Sequence, residues 1–532
     1  MLTVYALMLA GGLAADATTC DKLKTLVLPN TTITTAELVP AGPFTPPPGP
    51  GRGAAPNAAG RGQTAGPGRG APAEGARGGG QPPNVPANAQ APAGTTLSAY
   101  CRIAATLKPS VDSDVAIEVW MPADNWNGKF QAVGNGGWAG VISYPAMATS
   151  LQEGYATAST NTGHVGGNAA FAIDHPEKLT DFAYRAVHEM TVQAKALINA
   201  YYGRAPRFSY WNGCSTGGRQ GLMEAQRYPA DFDAILAGAP ANYQTHLHTW
   251  DLSVNVPVLL NPAAAVPPAK LQMVTNAAIA ACDARDGVTD RLISNPRACS
   301  FDVATLTCKA GDAENCLTAP QVEAMKRAYQ PAKTSAGQVV FPGKEPGSEY
   351  QWASFLGTQA PGVSVGSFQV AYNNASWDPK TFDLDRDLKL VDEKVGVPVN
   401  AVNPDLRAFK QRGGKLLLYH GWNDTAISPG NAIDYYQSVL AAMGGKQDDF
   451  VRLFMVPGMQ HCGGGPGPNQ VNWMAALERW RESGQAPSRI EAAHISGNRV
   501  DMTRPLCPYP QVAVYSGVGS TNDAANFACK AP

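Results

Sequence analysis

Gly213-Cys214-Ser215-Thr216-Gly217 has the G-x-S-x-G spacing that holds a serine hydroxyl at the tip of a sharp turn between a strand and a helix. Residues 207–211 read as the strand and residues 218–227 as the helix, whose N-terminus would face developing negative charge. The small residues let the backbone bend, and a glycine after the nucleophile leaves room for a substrate. A serine hydroxyl is a weak nucleophile, so it needs a base, normally a histidine, which is held in turn by a carboxylate. In hydrolases with this elbow the chain order is Ser, then Asp or Glu, then His.

Two downstream segments meet that requirement. Residues 415–420 read as a buried strand running into Gly421-Trp422-Asn423-Asp424-Thr425, which makes Asp424 the candidate acid. Residues 451–456 read as a second apolar strand running into Pro457-Gly458-Met459-Gln460-His461-Cys462, which makes His461 the candidate base. Of the eight histidines, His164, His175, His188, His246, His248, His420 and His494 lack this placement, and His420 is the strongest rival. Upstream, residues 115–122 and 129–133 read as strands, and Gly134-Asn135-Gly136-Gly137 closes the second. Such a turn supplies one oxyanion-hole amide and the residue after the nucleophile supplies the other. The candidates are the backbone N–H groups of Thr216 and of Gly136 or Gly137.

Cysteine stands immediately before the candidate nucleophile and immediately after the candidate base, so a Cys214 to Cys462 disulfide would tie the elbow to the histidine loop. Cys-Ser, a later Asp and His-Cys together resemble the signature of the tannase and feruloyl esterase family of α/β-hydrolases, which includes mono(2-hydroxyethyl) terephthalate hydrolase. The similarity runs from about Cys20 to Cys529 and takes in the Gly134-Asn135-Gly136-Gly137 turn, the Cys-rich segment near residue 282 and the Gly421-Trp422-Asn423-Asp424 loop. One departure is Asn161, which stands where the family pattern has aspartate. The resemblance implies an α/β-hydrolase fold with a large inserted lid domain. It also implies disulfides pairing Cys20 with Cys101, Cys214 with Cys462, Cys282 with Cys299, Cys308 with Cys316, and Cys507 with Cys529.

Between Tyr243 and about Leu406 the strand-helix rhythm weakens while proline, aromatic residues and cysteines cluster, as expected of a lid inserted into a hydrolase. The expected layout is therefore hydrolase residues 18–42, 95–242 and 407–532, with the lid at 243–406. Asp283, Asp286 and Asp290 surround a glycine turn, a hard-oxygen arrangement that suits calcium, although no glutamate follows at the twelfth position of an EF-hand. The resemblance implies a structural Ca2+ held by those three side chains and by the carbonyl oxygens of Val288 and Leu292. Aromatic residues of the lid, Tyr350, Trp352, Phe355, Phe368, Tyr372 and Trp377, are candidates to stack on an aromatic acyl group. Trp352 leads, because residues 347–352 resemble a lid segment bordering the family's pocket. Lys326, Arg327, Lys333 and Lys344 are candidate partners for an acidic substrate.

Length and composition allow one large globular domain or two smaller ones. With a formal net charge of −1 the chain lacks the positive field of a nucleic-acid binder, and no internal stretch has the length and apolarity of a membrane span. Residues 2–15 form an apolar run before Ala15-Asp16-Ala17, which fits a secretory signal over residues 1–17 without its basic start. Ten cysteines, with neither a CxxC nor a Cys/His zinc spacing, favour disulfides in an oxidising compartment, hence a secreted or periplasmic protein. Residues 43–94 are dominated by Gly, Pro and Ala, with Arg52, Arg61, Arg69 and Arg77 interspersed, and read as a disordered insertion inside the ring that a Cys20 to Cys101 pair would close.

The functional expectation is a secreted serine carboxylesterase acting on esters of aromatic acids such as feruloyl or galloyl esters, with no organic cofactor. A terephthalate-type monoester hydrolase, a serine peptidase and a non-catalytic surface-binding protein are the alternatives.

Overall fold

The computed structural model describes residues 17–47 and 94–532. The expected secretory segment lies outside the described residues except for Ala17, and so does most of the expected insertion, including Arg52, Arg61, Arg69 and Arg77.

A nine-stranded mixed sheet forms the centre of the molecule. In chain order its strands are β1 (Thr31–Val39), β2 (Tyr100–Leu107), β3 (Val115–Pro122), β4 (Lys129–Val133), β5 (Ala156–Thr160), β6 (Phe208–Cys214), β7 (Ala234–Gly238), β8 (Lys415–Gly421) and β9 (Val451–Val456). Their spatial order is β1-β2-β3-β5-β4-β6-β7-β8-β9. The β1-β2, β2-β3 and β3-β5 pairs are antiparallel, and every later pair is parallel. The α/β fold expected from the sequence is the one observed.

The parallel strands are buried on both faces, so β7 and residues 416–418 of β8 are unbroken apolar runs, while β4, β5 and β6 bury polar residues such as Gln131, Thr157 and Ser209 among apolar ones. Along β8, Leu416 and Leu418 enter the core beneath one face while Leu417 and Tyr419 enter the core beneath the other. Trp211 and Tyr210 of β6, and Ile235 and Leu236 of β7, divide in the same way. This period of two fixes which residues reach each layer of helices. It also leaves the polar residues after each strand to emerge at the carboxyl edge of the sheet, where open α/β sheets bind ligands.

Helices α1 (Tyr144–Gln152), α2 (Ala186–Tyr202) and α3 (Thr216–Arg227) accompany the first strands. Between β7 and β8, residues 239–414 hold α4 (Gln244–Leu260), α5 (Pro268–Cys282), α6 (Ala319–Tyr329), α7 (Gly362–Ala371) and α8 (Leu384–Val391). Two further clusters form there. One gathers Trp250, Leu317, Met325, Trp352 and Phe355, and the other joins Phe368 and Trp377 to Trp138 and Phe182. Helices α9 (Pro429–Ala442) and α10 (Trp473–Ser483) follow, the second packing Trp473, Leu477 and Trp480 beneath β8 and β9.

Five disulfides, Cys20–Cys101, Cys214–Cys462, Cys282–Cys299, Cys308–Cys316 and Cys507–Cys529, join all ten cysteines in the pairs that the resemblance implies. None of the described helices is long and apolar enough to cross a membrane.

Candidate active site

Ser215 sits between the last residue of β6 and the first residue of α3 with φ 64° and ψ −124°. A non-glycine residue rarely occupies positive φ, and holding one there costs about 1–3 kcal/mol, which the surroundings must supply. They do so through backbone hydrogen bonds. The Ser215 amide donates to the Gly238 carbonyl at 3.0 Å, and its carbonyl accepts from Arg219 at 3.0 Å and Ala241 at 3.1 Å. The Trp211 indole closes the turn by donating to the Gly217 carbonyl at 2.9 Å. The turn tolerates no side chain at Gly213, where a Cβ would lie 2.4 Å from the Gly217 carbonyl oxygen.

The expected partners emerge from the same sheet edge. Asp424, fully buried, lies three residues beyond β8, and His461 lies five beyond β9. His461 Nδ1 and Asp424 Oδ2 are 2.8 Å apart, while Asp424 Oδ1 accepts from the amides of Ala426 and Ile427 at 2.9 Å each. Burial alone would raise this carboxyl, but the charge and hydrogen bonds of His461 and His420 outweigh it and hold the carboxyl well below the usual range. The Cys214–Cys462 disulfide tethers the residue before Ser215 to the residue after His461, with Cα atoms 5.9 Å apart. Ser215 and His461 line one cavity of about 440 Å3 together with Gly137 and Thr216.

His420, the strongest rival for the base, occupies β8 and is fully buried. Its Nε2 lies 3.0 Å from Asp424 Oδ2 and 3.1 Å from the Ile427 carbonyl oxygen. Both neighbours are acceptors, so Nε2 carries the proton, and the ring is a second clamp on Asp424 that does not line the cavity. The four-residue spacing between His420 and Asp424 was the available signal for this contact, but it does not reveal which of two histidines faces the substrate.

The glycine-rich turn after β4 packs against α3. The Gly217 amide donates to the Asn135 carbonyl at 2.8 Å, and a Cβ on Gly134 would meet Gly217 Cα at 2.6 Å. Asn135 is pinned by Gln220 and by its own donations to the carbonyls of Val141 and Thr160. Of the two glycine candidates, Gly137 lines the cavity, and its carbonyl accepts from the Thr216 hydroxyl at 2.9 Å. Gly136 does not line it and accepts from the Ala139 amide through its carbonyl. Thr216 is the first residue of α3, where amides have no partner within the helix. Asn161, in the position expected to be aspartate, is buried, and its Oδ1 accepts from the amides of Ala116 and Gly163.

The expectation for Trp352 is corrected. Its ring is fully buried between Tyr329 and Phe355, its Nε1 donates to Ser348 Oγ at 3.0 Å, and it does not line the cavity. An indole with its one donor satisfied inside an apolar cluster is core packing. Phe355, one turn later, is instead the aromatic residue that reaches the cavity, with Leu247, Val363 and Ile427 as further apolar wall. Lys326, Arg327, Lys333 and Lys344 do not line it, and Lys344 is instead buried with Nζ 4.6 Å from the centre of the Trp250 ring.

On the candidate calcium loop, Asp283 accepts from the amides of Asp290 and Arg291, Asp286 from Val288 and the Ser294 hydroxyl, and Asp290 from Leu292. Burial raises the Asp290 carboxyl, and Arg504, 2.6 Å from its Oδ2, opposes that rise while Asp283 and Asp286 add to it. Asp283 and Asp286 are near enough to act on Asp290 through charge, but the ligand oxygens of the three side chains do not all gather within 4.8 Å of one another, so the loop would have to tighten to hold a cation. The Val288 and Leu292 side chains are themselves buried.

The family model for tannase and feruloyl esterase matches residues 101–530. An uncharacterised esterase of Xanthomonas campestris pv. campestris is 35% identical over 97% of this chain and 92% of its own. A probable feruloyl esterase B-2 of Aspergillus terreus is 34% identical over 81% of this chain and 86% of its own. Among solved structures, feruloyl esterase B from Aspergillus oryzae superposes with a TM-score of 0.84 at 29% identity, covering 96% of this chain and 99% of that one. Tannin acyl hydrolase from Aspergillus niger shares the fold at 22% identity, with a TM-score of 0.75 over 97% of this chain and 95% of its own.

Proposed function

The chain belongs to the tannase and feruloyl esterase family and is a carboxylic ester hydrolase, and within that family we propose that it is a secreted serine esterase acting on esters of aromatic acids. The observation that carries this reading is the meeting of Ser215 and His461 on one cavity wall, with Asp424 behind the imidazole. In the proposed reaction Ser215 Oγ attacks the ester carbonyl and His461 Nε2 takes its proton. Asp424 keeps Nδ1 protonated and steadies the imidazolium. The oxyanion is received by the amides of Thr216 and Gly137, each donor lowering the barrier by about 3 kcal/mol. His461 then protonates the leaving alcohol, and water repeats the sequence on the acyl-enzyme.

Residues 243–406 serve as the lid in this reading. They contribute Phe355, Leu247 and Val363, which make an apolar seat for a ring. The disulfides support export to an oxidising compartment. The experiment is incubation of the disulfide-intact protein with methyl ferulate, methyl gallate and mono(2-hydroxyethyl) terephthalate, with acid release followed by chromatography. Release of ferulate or gallate is expected, and intact, folded protein that releases none of the three acids would defeat the aromatic-ester reading.

Calcium belongs to the same proposal, held by Asp283, Asp286 and Asp290 with the carbonyls of Val288 and Leu292. When bound it supplies a cross-link to a loop-rich segment and takes no part in the chemistry. A ligand present at 100 times its Kd adds about 2.7 kcal/mol to stability. EGTA is therefore expected to lower the melting temperature by a few degrees, and added CaCl2 to restore it. An equal melting temperature in EGTA and in CaCl2 would remove calcium from the lid.

A further inference from the structure

Helix α4 presents Gln244, Leu247, His248 and Asp251 to the Ser215 cavity, an i, i+3, i+4, i+7 set on one helical face. Its start lies beside the nucleophile, because the Ala241 amide donates to the Ser215 carbonyl at 3.1 Å. Asp251 lies seven residues beyond Gln244, about 10 Å further along the axis at the α-helical rise. There Asp251 Oδ2 accepts from Ser364 Oγ at 2.6 Å, and Ser364, on α7, lines the same cavity. Among the described residues no ion pair engages Asp251, and its Oδ1 accepts no hydrogen bond.

The cavity lining contains neither lysine nor arginine. His248 donates or accepts at Ser367 Oγ through Nδ1 at 2.7 Å, and burial holds its imidazole down at about 3, so it brings no positive charge near neutral pH. Burial pushes the Asp251 carboxyl up to about 6, opposed by the charge of Lys344 and the hydrogen bond from Ser364. Above that pH the cavity wall carries at Asp251 a carboxylate with one oxygen bonded to Ser364 and no ion pair among the described residues.

We propose that Asp251, fixed by Ser364, is the specificity-determining acceptor for a hydroxyl on the aromatic ring of the acyl group, favouring 4-hydroxycinnamoyl esters and rejecting acyl groups that carry a second carboxylate. This inference rests on the Ser215 reading above. A phenolic O–H given to a carboxylate is a short, charge-assisted hydrogen bond. A carboxylate on the ring would instead meet a like charge in a desolvated place. Length selects as well. Carbonyl, vinyl unit, ring and para oxygen carry the hydroxyl along the cavity toward a residue about two helical turns beyond Gln244, whereas a ring attached directly to the carbonyl stops short by the vinyl unit.

The test compares kcat/KM at pH 7.5 for methyl 4-hydroxycinnamate, methyl cinnamate and methyl 4-carboxycinnamate, with p-nitrophenyl acetate as a general ester. A site built to hydrogen-bond a substrate hydroxyl discriminates strongly against the analogue lacking it. The parent should therefore prefer the hydroxylated ester over the unsubstituted one by about tenfold or more, and should disfavour the carboxylated ester. Asp251→Asn removes the charge and adds a donor, so the hydroxyl preference should fall and the carboxylate penalty shrink, opposite movements that general damage to the fold would not produce. Should the amide variant not fold, Asp251→Leu tests the first ratio at similar volume. A parent with no hydroxyl preference, or a variant that leaves both ratios unchanged, overturns the proposal. Cleavage of p-nitrophenyl acetate but none of the cinnamates overturns it and leaves the Ser215 chemistry standing. Loss of all ester cleavage defeats both.

Discussion

Ser215→Ala is expected to lower kcat on any ester the parent cleaves by about ten-thousandfold or more, the scale on which loss of a serine nucleophile acts where the surrounding machinery works as a unit. Alanine leaves the strand, the helix and the amides of Thr216 and Gly137 in place and removes only the atom that, in the proposed reaction, would form the acyl bond. KM should therefore move little while kcat collapses. The melting temperature is also informative, because the backbone at residue 215 stays at φ 64°, and alanine tolerates that conformation no better than serine. The variant should consequently melt within a few degrees of the parent. Single-turnover hydrolysis of methyl ferulate with quenched chromatography measures the effect, and a variant retaining a tenth of the parent rate would place the nucleophile elsewhere.

Asp424→Asn should cost about ten-thousandfold in kcat, through a specific rearrangement of protons. Asp424 Oδ1 accepts from the amides of Ala426 and Ile427, so the asparagine oxygen is drawn to that side. Its NH2 group then takes the place of Oδ2, facing His461 Nδ1 and His420 Nε2, both of which now donate. Two donors cannot share that contact with an NH2 group. His461 must turn to the tautomer with its proton on Nε2, and in that form it cannot accept a proton from Ser215. His420 meets the same conflict and would have to give up either its proton position or its bond to the Ile427 carbonyl. Measurement of kcat across pH, with near-ultraviolet circular dichroism to establish the fold, tests this. A loss smaller than about tenfold, with the fold retained, would show that Asp424 does not govern the imidazole.

How far the site was legible depended on whether a residue's role lay in the local chain or across it. The strands ending before Ser215, Asp424 and His461 could be read because each is rich in aromatic or aliphatic residues and is followed by small or polar ones, and the structure places them as β6, β8 and β9. The edges moved where pairing continued past the propensity signal, as where β6 extends to Cys214 and α3 begins at Thr216. The reading of Trp352 as the leading pocket residue fails, because an aromatic residue in a proline-rich segment looks alike whether it faces a core or a cavity. The cluster of Tyr329, Trp352 and Phe355 decides that. Asp251 carried no sequence signal at all, since its meaning comes from Ser364, 113 residues away.

The sequence by itself determined the order of the chemistry-bearing groups, the turn types that expose them and the number of cysteines available to lock them, because these follow from short-range sterics and from residue identity. Tertiary structure alone decided which histidine shares a wall with Ser215, which glycine amide reaches the cavity and what sits at its far end. Those outcomes depend on how β6, β7, β8 and β9 follow one another in the sheet and on how residues from 239–414 reach the cavity beside Ser215. They are set by packing between segments from 37 residues apart, as for Asp424 and His461, to 248 apart, as for Cys214 and Cys462, distances across which no local pattern in the chain carries the register.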